Sequence, residues 1–138
     1  MRRTRAFAAS WSAEPAPLIP FDREIAATLP AALAQVRASL APGDPAAVAH
    51  ALARLYRRFD MEPPAPGDLD LDVAEMSAWP ADLFEQAFRH VWTTYALSRR
   101  PRVSDFLAGI ADDLAERRAD LHALEALARK LEHRRRRS

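Results

Sequence analysis

An all-α fold, a small bundle of about five helices ending in a long C-terminal helix, is what this sequence predicts, and three observations carry the prediction. Apolar residues recur at three- and four-residue steps through most of the chain. Only three glycines occur, and the apolar fraction of 49% is rich in alanine, the strongest helix former. Sustained alternation of β-branched residues, the mark of strands, is absent. At 138 residues the chain can bury one hydrophobic core but not two. It divides on this reading into an arm (1–20), a helical bundle (21–115) and an extension of the last helix (116–138).

The arm holds Pro15, Pro17 and Pro20, which favour an extended path, with Phe7 and Trp11 as its aromatic residues. Glu14 and the prolines interrupt its apolar residues too early for an export signal. No window reaches the roughly 18 apolar residues of a membrane span. A soluble, cytoplasmic protein is therefore expected, and the absence of cysteine fits a reducing compartment.

Phe21, Ile25, Leu29, Leu33, Val36 and Leu40 step helically across Pro30. Either Thr28 caps a new helix near that proline, or one helix is kinked there. Asp44 then suits an N-cap with Pro45 at the first helical position, and Val48, Leu52, Leu55, Tyr56 and Phe59 form one apolar face. The proline-rich stretch 60–67 is a stiff turn. Asp68, Asp70 and Asp72 alternate with Leu69, Leu71 and Val73, but Ala74 to Trp79 continue better as a helix begun by acidic residues. A calcium loop is excluded here because Val73 and Trp79 occupy the positions that need glycine and glutamate.

The central helix opens at Trp79-Pro80 and carries Phe84, Ala87, Phe88, Val91, Trp92 and Tyr95 on one stripe. Pro101 stops it near Ser98. Ser104 is positioned to cap the final helix, in which Leu107, Ile110, Leu114, Leu121, Leu124, Ala128 and Leu131 keep a three-four rhythm broken only by Arg117. About 30 residues make a rod of roughly 45 Å. Leu114, Leu121, Leu124 and Leu131 are accordingly the candidate partner-binding residues, either as a coiled-coil or groove-binding stripe or, alternatively, hidden by the helix around Leu29 to Leu40.

With 20 basic and 19 acidic residues, the distribution of charge says more than the net +1. Arg99, Arg100 and Arg102 at the turn and Arg134, Arg135, Arg136 and Arg137 at the C-terminal end are candidate nucleic-acid contacts, the last four being equally readable as a solvated helix end. His50, His90, His122 and His133 form no H-x-x-x-H or H-E-x-x-H pair, so no metal site is expected. The phosphate-loop, dinucleotide and serine-hydrolase motifs are missing, and neither an enzyme nor a cofactor is expected.

The run Met76-Ser77-Ala78-Trp79-Pro80-Ala81-Asp82, followed by Phe84 and Ala87 and, after an arginine-rich gap, by Arg100-Pro101-Arg102-Val103-Ser104-Asp105-Phe106-Leu107, resembles the helical domain of phage replicative-helicase loaders and inhibitors. The resemblance spans residues 45 to 115 and consists mostly of helix-start punctuation. It implies a non-enzymatic adaptor that grips a hexameric replicative helicase, of the ATP-independent kind because no ATPase module is present. Two alternatives from other classes are a small DNA-binding packaging or regulatory subunit reading through Val103 to Ile110, and a homo-oligomer built on the C-terminal stripe. Ser104, Asp105 and Asp112 suit a phosphate-lined groove poorly.

Overall fold

A computed structural model describes residues 19–96 and 98–137 of the chain. The expected arm, with Phe7 and Trp11, lies almost wholly outside the described residues. Six helices are present among them: α1 (Ile19–Ser39), α2 (Pro45–Arg58), α3 (Pro66–Ser77), α4 (Ala81–Thr94), α5 (Val103–Leu107) and α6 (Ala111–Arg137). No strand occurs among the described residues; extended backbone pairs only at an isolated bridge between Pro42 and Pro80. The fold is all-α with a long last helix.

The chain divides into two compact units, one formed by 19–40 with 115–137 and the other by 41–114. This differs from the expected split at 115/116, because residues 21–40 leave the bundle and join the C-terminal half. Apolar packing is the reason. In the first unit Leu29, Val36 and Leu124 form a buried cluster, with Leu33, Leu40, Leu121 and Leu131 packed half-buried around it. Leu124 retains no exposed surface. The leucine stripe read as a partner surface is thus largely covered from within the chain, the second of the two readings, and Leu124 is withdrawn from the surface.

α1 runs through Pro30 without interruption. A proline there removes the amide that would bond four residues back. The Thr28 hydroxyl does not cap a fresh helix; it donates to the Glu24 carbonyl (3.1 Å) and the Ile25 carbonyl (3.3 Å) of the preceding turn. Arg117, the residue out of register in the apolar rhythm, is buried at 7% exposure, and its guanidinium donates to the Ser39 carbonyl at 2.8 Å. The last carbonyls of a helix have no partner within it, and the buried Arg117 supplies a donor to one of those at the end of α1.

In the second unit α2 packs on α3 and α4, α4 on α5, and α3 on both α4 and α5. Asp44 caps α2 as expected, its Oδ1 accepting from the Ala46 amide at 3.0 Å, with Pro45 in the first turn. Asp60 ends α2 in the left-handed region (φ 52°), and the Met61 amide returns to the Tyr56 carbonyl at 2.8 Å. The alternating 68–73 stretch is helical, as expected, and leaves Leu71 70% exposed. α4 buries Leu83, Phe84, Ala87 and Val91 but ends at Thr94, four residues before Ser98; Tyr95 turns to extended angles and its hydroxyl donates to the Arg99 carbonyl at 2.6 Å.

Two expectations for the last helix are corrected. Ser104 does not cap it: α5 starts one residue earlier, and Asp105 closes the start by accepting the Arg102 amide at 2.7 Å. Nor is there one rod from Ser104, since the backbone turns at 108–110. Gly109 sits at the centre of this turn. A Cβ at this position would lie 2.9 Å from both Cβ and Cγ of His90, so the turn is pressed against α4, where Gln86 donates to the Gly109 carbonyl (3.0 Å) and to Asp113 (2.9 Å). α6 therefore begins at Ala111 and spans 27 residues, about 40 Å at 1.5 Å per residue.

Leu124→Ala should cost about 2–5 kcal/mol in urea unfolding, as for a core leucine rather than a surface contact. Gly109→Ala should lower the unfolding midpoint by an amount equivalent to about 1–3 kcal/mol, and His90→Ala in the same chain should restore part of it, because it removes the Cγ contact but not the Cβ contact.

Candidate nucleic-acid interface

α2 reads PAAVAHALARLYRR and contains no acidic residue. Val48, Leu52, Leu55 and Tyr56 turn inward, which fixes His50, Arg54, Arg57 and Arg58 on the exposed side. Helix side chains three and four apart are neighbours, so Arg54 stands beside Arg57 and Arg58 with like charge and no compensating carboxylate on the helix. Among the described residues, the contacts that Arg54 and Arg58 make are to aromatic rings.

α4 supplies those rings. Phe84, Phe88 and Trp92 follow one another at one-turn spacing, with centroids 6.2 and 5.5 Å apart. Phe84 is buried, while Phe88 and Trp92 are half-buried. The Arg58 guanidinium lies 4.3 Å from the centre of the Trp92 ring and 5.9 Å from that of Phe59, and Arg54 lies 5.7 Å from Trp92. These distances are within reach of cation–π attraction. Arg54, Arg57, Arg58 and Trp92 line one open depression of about 470 Å³. Its chemistry is cationic and aromatic.

The arginines selected from sequence have different surroundings. Arg99 pairs with Asp105 at 2.9 Å, and Arg100 donates to the Glu62 carbonyl at 3.3 Å. Arg99, Arg100 and Arg102 share a second depression, of about 380 Å³, with Asp68 and Asp72. Its cationic charge is thus largely offset. Burial, then the neighbouring Asp68, pushes the Asp72 carboxyl above its usual range, with Arg100 opposing. Arg134, Arg135, Arg136 and Arg137 are exposed on the last turns of α6, and Arg136 pairs with Glu132 at 3.3 Å. Leu114 is buried, and Leu121 and Leu131 keep part of their surface. No group of three or more histidine or acidic side chains able to hold a metal ion occurs among the described residues.

Arg54, Arg58 and Trp92 are therefore the functional candidates that residue-by-residue reading passed over. The signal on α2 was present: H-x-x-x-R-x-x-R-R on the polar side of a helix free of acid. Trp92 could not be joined to it, since only folding sets α4 beside α2.

Asp105 supplies a pH test. The hydrogen bond from Arg99, assisted by the Arg102 amide, holds its carboxyl below the ordinary range. A depressed carboxyl stabilises the fold above its unfolded value of about 4, and that stabilisation fades as pH falls through the lower folded value. Asp105→Ala should thus lose about 1 kcal/mol at neutral pH, as for loss of a helix cap, and draw closer to the parent protein's stability as a denaturant series is taken to pH values below the unfolded carboxyl range.

No protein-family model matches the chain, and no curated protein or solved structure matches it either.

Proposed function

We propose that this chain is a non-enzymatic helical adaptor in DNA replication that contacts nucleic acid through the exposed arginine face of α2. The single observation that carries the nucleic-acid part is the placement of Arg54, Arg57 and Arg58 on a helix without a carboxylate, beside the Trp92 ring. Three clustered guanidiniums repel one another and are exposed to solvent. Polyanion phosphates relieve that repulsion and release counterions on binding.

The helicase partner comes from the resemblance alone. The residues that carry it, Met76 to Leu107, fall within the second unit, which also holds α2. Trp79-Pro80 leads into α4 and Pro101 into α5, the punctuation that the resemblance requires. A replication adaptor of this kind acts in the cytoplasm, and no helix of the described residues is long and apolar enough to cross a membrane. Direct DNA binding as a regulatory or packaging subunit is the second reading, favoured by the same arginine face. Self-association has less surface to draw on, because Leu124 is covered within the chain.

The parent protein should bind DNA with a steep salt dependence. Replacing Arg54, Arg57 and Arg58 together by Gln should lower the slope of log affinity against log salt by about two to three. An unchanged slope would sink the assignment of this face. Co-elution with the replicative helicase of the native host separates the adaptor from the purely DNA-binding subunit.

A further inference from the structure

We infer that the Arg54–Arg57–Arg58–Trp92 depression takes single-stranded nucleic acid in preference to duplex, seating one unstacked base on the Arg58–Trp92 pile while Arg54 and Arg57 hold adjoining phosphates. The inference rests on the nucleic-acid reading above and narrows its ligand. Charge by itself does not distinguish strand from duplex, because phosphates are common to both. The aromatic surface does.

Trp92 is half-buried at the rim of the depression, and Arg58 lies 4.3 Å from its ring centre while remaining exposed itself. A guanidinium held over an indole joins cationic and aromatic surface at one place, against which a base can lie or from which it can displace the guanidinium to reach the ring. Bases in a duplex have both faces covered by their neighbours. Those of a single strand are open, and stacking of this kind is what lets proteins bind strands without regard to sequence.

The rest of the face agrees with sequence-tolerant binding. Around the arginines the exposed side of α2 offers Ala46, Ala47, His50 and Ala53. It lacks the Asn and Gln that read adenine edges in a duplex major groove, so any base readout there would fall to arginine alone. Arg57 lines the same depression and makes no ring contact among the described residues, which leaves its guanidinium to a phosphate.

The test uses the full chain and fluorescence anisotropy at one fixed salt concentration. Labelled strands of deoxythymidine and of uridine, each about 12 nucleotides, are compared with a mixed-sequence duplex of the same length. At least one strand should bind about tenfold more tightly than the duplex, and the uridine arm shows whether RNA serves as well as DNA. Trp92→Ala should weaken strand binding by about tenfold and leave duplex binding nearly unchanged, whereas Trp92→Phe keeps most of it. Arg58→Lys retains the charge on an exposed position but lacks the planar fork, so it should weaken strand binding selectively without endangering the fold.

Equal affinity for strand and duplex would overturn the inference and leave phosphate binding standing. So would Arg58→Lys and Trp92→Ala weakening strand and duplex alike. Failure to bind either polymer would remove the nucleic-acid reading together with it.

Discussion

The constraint on which the first unit depends is the leucine stripe of α6, which must be covered. Leu124 loses all its exposed surface against Leu29 and Val36, and Leu33, Leu121 and Leu131 fill in around them. Fully burying one such side chain is worth about 1.5–3 kcal/mol, so a helix with this many leucines is a poor free rod and a good packing partner. Covering the stripe assigns α1 its place in sequence and in space. It also explains why a helix containing Pro30 survives: tertiary burial on either side, at Leu29 and Val36, offsets the lost backbone hydrogen bond.

In the second unit a different constraint rules, the close approach of backbone to side chain at Gly109. With no Cβ to accommodate, the 108–110 turn rests on His90 and is tied there by Gln86. A residue with a side chain would press into α4. The turn separates α5 from α6 and lets Phe106 and Ile110 both be buried. α4, anchored by that contact and by Leu83, Ala87 and Val91, then sets Trp92 beside the basic side of α2.

Charge is partitioned in a way that the nearly neutral total conceals. The arginines of the 99–102 turn are met by Asp105, Asp68 and Asp72, and Arg136 by Glu132. Arg54 and Arg58 of α2 meet indole and phenyl rings instead. Since exposed ion pairs contribute little to stability, the difference between the two groups matters less for folding than for what each can bind. Carboxylate-paired arginines must break a contact before engaging a phosphate. Ring-stacked ones need not.

Local physics was legible in the sequence wherever a side chain acts on its own neighbourhood. Asp44 and Pro45 announce the start of α2, the three-four spacing gives α1, α4 and α6 their buried faces, and acidic residues mark the beginning of α3. Sequence by itself determined an all-α chain, the identity of most helices and the apolar stripe that each must hide. Only the tertiary structure decided what hides them: that α1 covers α6, that Arg117 satisfies the end of α1, that the last rod breaks at Gly109, and that Trp92 meets Arg58. Periodicity along a helix names the face that seeks burial, but the neighbour that buries it comes from far along the chain and is selected by packing.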